Sequence, residues 1–139
     1  MMSPRRAIDW YGGIATRAEI MALGPWRSMI DLELAYGAII RVRRGWYASP
    51  WVSADVIAAR QVGGPLACVS ALAHYGMGDP PGELHVLVSR QASRLPTEVG
   101  GRSVVLHWTR LDPPGDRHAV TPSTALEQAD RCSAVLRVP

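Results

Sequence analysis

The apolar positions along the chain change period more than once, and each change predicts an element. In ATRAEIMALG and PWRSMIDLELAYG, up to Gly37, they recur at helical spacing. Thr16 followed by Glu19 is a capping box, in which each side chain satisfies an exposed amide of the first turn, so a short helix opens at Thr16. Ile20 and Leu23, with Met21, form its apolar side, and Gly24 closes it in the left-handed conformation that costs least without a Cβ. Pro25 starts a second helix. There Met29, Ile30, Leu34 and Tyr36 share one broad apolar face, and Arg27, Ser28, Asp31 and Ala35 share the other. Glu33 falls inside the apolar arc and must reach out at its edge or find a partner. Two short helices joined by a Gly-containing turn make a helix-turn-helix unit.

After Gly37 the period drops to two. AIIRV, the tight turn Arg43-Arg44-Gly45 and WYA read as a β-hairpin ended by Pro50. Residues 5–11 supply a leading helix, and a hairpin directly after a helix-turn-helix is the winged-helix plan. A fourth helix runs from its cap Ser53 to Val62, and a fifth through LACVSALAHYG with Gly76 as stop. GMGDPPGE then marks a boundary. Strands follow at 84–88, 103–108 and 117–120. On the second of these Val104, Leu106 and Trp108 share a face opposite Val105 and His107, which makes Trp108 core and turns His107 away from it. Thr121-Pro122 opens a last helix with an apolar stripe of Ala125, Leu126, Ala129 and Cys132, extended by Val135 and Leu136. Either the strands or a second protomer must cover that stripe. The expected fold is α+β: a winged helix-turn-helix domain over residues 1–78, then a small strand-rich segment with a closing helix over 79–139.

Composition narrows the function classes. A chain of 139 residues, 47% hydrophobic and 19% charged, can bury a core without staples. No segment has the length of a signal peptide's apolar run or of a bilayer span, so a cytoplasmic protein is expected. Cys68 and Cys132 are far apart in sequence and read as core thiols. His74, His85, His107 and His118 show no pair at ligand spacing, so neither a metal nor a cofactor is expected. Nor is an enzyme: lysine is absent, no nucleophile or phosphate-loop motif occurs, and Asp112, Asp116, Glu127 and Asp130 are scattered over a loop and a helix.

Charge is uneven. All 15 basic residues are arginine; residues 1–60 hold eight of them against five acids, a net of +3, and residues 61–139 hold seven against seven, a net of 0. A polyanion would therefore be drawn to the first part of the chain. Arginines on a hairpin beside a recognition helix are suited to phosphate oxygens, and Arg6, Arg17, Arg27, Arg41, Arg43 and Arg44 are the candidate DNA contacts, with Arg27 and Ser28 nearest the bases and Asp31 beside them repelling phosphates unless it is turned aside or accepts from a cytosine amino group.

The run GGIATRAEIMALGPWRSMI, then Leu34 and Gly37, then IIRVRRGWYASP, resembles the N-terminal winged helix of AbiEi-family antitoxins, the antitoxin half of type IV toxin-antitoxin systems. The same module occurs in bacterial proteins with a very-short-patch-repair-like endonuclease domain. The likeness continues through CVSALAHYG, LHVLVSR, VVLHWTR and TPSTALEQADRC, and the chain stops where a C-terminal antitoxin or nuclease-like domain would begin. The resemblance implies a DNA-binding autoregulator that binds duplex DNA at an inverted repeat in its own promoter, with a homodimer suited to that repeat. It also implies a cognate nucleotidyltransferase-like toxin. Carried over by position, Arg27 and Ser28 open the recognition helix and Arg41, Arg43 and Arg44 belong to the wing. The alternatives are a protein-interaction module or a truncated, non-catalytic remnant of an endonuclease-domain protein.

Overall fold

In the computed structural model, which describes residues 2–109 and 115–136 and only the backbone of Leu136, the Thr16–Glu19 capping box forms as its spacing dictates. Thr16 Oγ1 accepts from Glu19 N–H at 3.1 Å and Glu19 Oε1 accepts from Thr16 N–H at 2.8 Å. Asp112 and the side chain of Leu136 lie outside the described residues. The chain is a mixed α+β protein with two small three-stranded sheets. It divides into two compact units between Ile57 and Ala58.

The first unit runs α1 (Pro4–Trp10), β1 (Ile14–Thr16), α2 (Arg17–Ala22), α3 (Arg27–Ala35), β2 (Ile40–Arg43) and β3 (Trp46–Ala48). Ser3 caps α1 and Pro4 fills its first turn, where a missing N–H costs nothing. The strands form an antiparallel sheet in the order β1-β3-β2. Its core is Ala7, Ile8, Ala15, Ile20, Ile30, Ile39 and Tyr47, with Tyr11, Met21, Trp26 and Leu34 packed at the margin. Gly37 and Gly45 take positive φ, +73° and +79°, as a helix stop and a tight turn require.

Gly24 differs from expectation. It is not left-handed; α2 ends on Leu23 in a right-handed conformation, and a Cβ on Gly24 would stand 2.3 Å from the Trp26 ring. Glycine is needed there for close approach rather than for a turn. The second helix begins at Arg27, two residues after Pro25, and it buries a narrower face than its periodicity suggested. Ile30 is fully buried, whereas Met29 and Tyr36 are exposed. Strand β1 was not legible, being three residues long beside a helix cap.

The helix α4 (Ala54–Val62) crosses the division. The second unit continues with α5 (Cys68–His74), β4 (Leu84–Ser89), β5 (Glu98–Val99), β6 (Arg102–Thr109), α6 (Pro122–Arg131) and α7 (Ser133–Leu136). Strands β4 and β6 pair in parallel from Leu84↔Val104 to Ser89↔Thr109, and β5 adds to β6 antiparallel. The other edge of β4 is taken by residues 65–67: Leu87 N–H donates to Pro65 O at 2.9 Å and Ala67 N–H to His85 O at 3.0 Å. Residues 117–120, expected as a strand, contribute only isolated bridges, through Leu66 N–H to His118 O and Val120 N–H to Leu66 O. Because α5 packs on α6 and β4, it belongs with the strands, and the division falls at 57/58 rather than at the expected 78/79. The glycine-rich stretch after it is a loop inside the second unit.

No helix among the described residues is long and apolar enough to cross a membrane.

Candidate functional site

Three groups of side chains stand out, two in the first unit and one in the second. In the first unit the expected DNA contacts are mostly solvent-facing. Arg27 and Ser28 are exposed in the first turn of α3, and Asp31 one turn later. Arg41 and Arg43 are exposed on β2, where a bulge between them leaves Val42 buried, and Arg44 is exposed in the turn. Arg6 is exposed on α1. Arg17 is half-buried, its Nη1 donating to the Tyr47 hydroxyl at 3.2 Å. Its backbone N–H donates to Gly45 O at 2.9 Å, which ties the start of α2 to the hairpin turn. Arg17, Arg43 and Arg44 are thereby gathered at one place, while Arg6 stands on α1 and Arg27 with Ser28 at the start of α3.

The two acids of α3 have different roles. Glu33 turns inward, and its Oε2 accepts the Arg5 backbone N–H at 2.8 Å, satisfying an orphan donor in the first turn of α1. Asp31 remains on the exposed face with Met29, Leu32 and Tyr36. That face is apolar and acidic around its single leading arginine.

Asp9 closes a second polar cluster. It accepts from the Ser49 hydroxyl and from Trp51 Nε1, the latter at 2.9 Å, and pairs with Arg5 Nε at 3.4 Å. Burial pushes its carboxyl up, but the hydrogen bonds from Ser49 and Trp51 and the Arg5 charge outweigh burial and hold it below the usual carboxylate value.

In the second unit the structure brings together four residues that sequence spacing kept apart. Cys68 opens α5, His85 lies on β4, His107 on β6 and Cys132 just after α6. One donor atom from each lies within 4.8 Å of all the others. His85 Nδ1 is 3.0 Å from His107 Nε2, and Cys132 Sγ is 3.9 Å from that same nitrogen. The strand register explains the histidines: His85 pairs with Val105 and Leu87 with His107, so alternation puts both imidazoles on one face of the parallel pair. The expectation for β6 is corrected in this respect. His107 faces inward and Trp108 is 49% exposed, because the helices cover the odd-numbered face of the strand end. Leu126, placed in the apolar stripe of the last helix, is likewise exposed, while Ala125 and Cys132 are buried.

Cys68, His85 and Cys132 are buried and His107 half-buried. Both thiols are free. Burial pushes the Cys68 thiol up to about 12, helped by the neighbouring Cys132, which keeps it protonated at neutral pH. Burial pushes His85 and His107 down to about 4, His107 also through its neighbour His85, so both imidazoles are neutral at neutral pH and one of the two facing nitrogens donates to the other. The sequence reading missed this cluster because no two of its members lie within one helical turn or one loop. Two buried-type cysteines and two strand histidines at matching positions were the only signal.

The chain matches no known protein-family model, and no curated protein sequence matches it significantly.

Proposed function

We propose that the first unit is a winged helix-turn-helix that binds duplex DNA, and that the chain acts in the cytoplasm as a transcriptional autoregulator of the AbiEi antitoxin type. The single observation behind this reading is the tying of α2 to the hairpin turn through Arg17 and Gly45, directly after α3, with Arg41, Arg43 and Arg44 exposed on the same hairpin. In this mechanism α3 enters the major groove with Arg27 and Ser28 nearest the bases, and the hairpin arginines grip backbone phosphates. Six arginine–phosphate contacts would give a salt slope on the order of −5. A homodimer would match an inverted repeat, and the partner in the operon would be a nucleotidyltransferase-like toxin.

Titration of labelled duplex from the upstream region across a salt series tests this. Arg43→Ala/Arg44→Ala should weaken binding and flatten the slope by about 2. Equal binding by parent and double variant at every salt would remove the hairpin from the mechanism.

A protein-interaction module is the second reading, and it has its own observation. Met29, Leu32 and Tyr36 are 40%, 46% and 80% exposed on and beside α3, next to Asp31. Exposed large apolar side chains on one helix face favour a protein partner over a polyanion. A folded chain without salt-dependent affinity for any duplex would favour it.

A further inference from the structure

We propose that Cys68, His85, His107 and Cys132 form a structural site for one zinc ion, held in tetrahedral coordination by two thiolates and two imidazoles. This lies in the second unit and is independent of any DNA contact by the first.

Donor type points to zinc first. Two cysteine sulfurs with two imidazole nitrogens in a four-donor set are the ligands that a tetrahedral, borderline-soft divalent cation selects over the hard oxygen donors preferred by magnesium or calcium. Geometry agrees. With Zn–N near 2.0 and Zn–S near 2.3 Å, the edges of a tetrahedron run from about 3.3 Å between nitrogens to about 3.8 Å between sulfurs. The two measured edges are 3.0 Å, nitrogen to nitrogen, and 3.9 Å, sulfur to nitrogen. All four donors already fall within 4.8 Å of one another, so side-chain movements of about an ångström complete the shell.

Burial and charge fit the same ion. Binding would proceed as Zn²⁺ plus two thiols to a neutral bis-thiolate complex, with the two protons passing to solvent. No net charge is then left in a buried position. All four coordination positions are filled by protein, which is the closed arrangement of a structural rather than a catalytic zinc.

The surroundings hold the donors in place. The Cys68 backbone N–H donates to Gln128 Oε1 at 2.9 Å. The His85 backbone N–H donates to the buried Ser70 hydroxyl at 2.9 Å. Cys68 itself sits at φ +52°, a region that side-chain-bearing residues rarely occupy. Such a backbone persists only where its surroundings fix it, and it directs this sulfur at the other three donors. The ion would fasten the start of α5, two parallel strands and the end of α6, elements spread over 65 residues from Cys68 to Cys132.

The test uses the full chain, purified under reducing conditions without chelator. Metal analysis should give one zinc per chain, and replacement by Co²⁺ should give the intense visible bands of a tetrahedral site and a thiolate-to-cobalt band in the near ultraviolet, saturating at one equivalent. Cys132→Ala and His107→Gln should each weaken Co²⁺ binding by at least about 100-fold. Gln128→Ala, which leaves every donor in place, should weaken it by about tenfold. If the donor variants fail to fold, the cobalt titration of the parent and of Gln128→Ala still decides. The proposal is overturned if the folded parent shows no tetrahedral cobalt spectrum, if the spectrum survives in folded Cys132→Ala, or if Cys68 and Cys132 prove to be disulfide-linked in protein kept from air.

Discussion

The two units are held together over different distances along the chain. In residues 2–57 the elements are set by contacts close in sequence: Thr16 caps with Glu19 three residues away, and Arg43 pairs with Trp46 across a two-residue turn, while remote contacts such as Arg17 N–H to Gly45 O and Asp9 with Ser49 join those elements. In residues 58–136 they are remote: Cys68 N–H reaches Gln128, the Arg60 guanidinium reaches the Arg117 carbonyl at 2.9 Å, and His85 meets His107 across a parallel pair. A parallel pair cannot be closed by a tight turn, so its register is set by what covers it rather than by the residues between the strands. Local chemistry therefore sets the elements of the first unit before remote contacts join them, whereas the strand pairing of the second depends on long-range closure from the start.

The largest expected difference between them follows from the metal proposal. A ligand that binds only the folded state stabilises it by about 4 kcal/mol at a free concentration a thousand times Kd. Stripping zinc with a chelator should therefore lower the second unit's stability by about that amount, and amide exchange at Cys68 and Leu87 should accelerate strongly. Readdition of Zn²⁺ should restore protection. Exchange that is unchanged after full removal of the metal would show that the remote contacts suffice without a clasp.

Next in size are two glycines that look alike in sequence. Gly64 lies against β4, where an added Cβ would stand 1.7 Å from the Leu87 carbonyl oxygen. Gly64→Ala must displace the 65–67 segment from the strand edge, for a loss of about 3 kcal/mol. Gly45 has open space around it and only its φ of +79° to protect, so Gly45→Ala should cost about 1 to 2 kcal/mol. Urea midpoints of the two variants compare a long-range close approach directly with a local turn. A larger loss at Gly45 would reverse the contrast.

How much could be read from the sequence follows the same line. The caps at Thr16, Ser53 and Thr121, the stops at Gly37 and Gly76 and the hairpin turn were legible because their physics is complete within a few residues. The exposed arginines of the hairpin were legible for that reason too. The burial of His107, the exposure of Trp108 and the meeting of the two cysteines were not, since alternation along a strand says which residues share a face but not which face is covered. The placement of α5 failed for a similar reason: a Gly- and Pro-rich loop signals a break in the chain's direction whether or not a packing boundary coincides with it.

Between the two acids of α3 the difference should be about 1 kcal/mol. Glu33→Ala leaves the Arg5 amide without its acceptor, a loss of about 1 to 2 kcal/mol of the kind seen when a helix cap is removed. Asp31→Ala touches an exposed position and should stay within about 0.5 kcal/mol. Denaturation of both variants, paired with duplex titration, separates structure from contact. Asp31→Ala should bind a duplex more tightly than the parent if α3 faces DNA, because one repelling charge is gone, and less tightly to any protein partner that pairs with the acid.

The smallest effect is carried by Asp9, and its sign can be fixed. Its folded-state value lies below the unfolded one, near 3.9, because the hydrogen bonds from Ser49 and Trp51 and the charge of Arg5 outweigh burial. The unfolded chain thus binds the proton more readily. The stabilisation is fully present above the unfolded value and is lost as pH falls through the folded one. With its side chain 39% exposed and open to salt screening, the carboxylate should contribute less than about 1 kcal/mol. Urea midpoints at pH 6 and pH 3 should fall further for the parent than for Asp9→Asn, and added salt should narrow the gap. Equal falls would mean that Ser49 and Trp51 hold the neutral acid as well as the carboxylate, so that the cluster joining α1 to the end of the hairpin depends on shape rather than on charge.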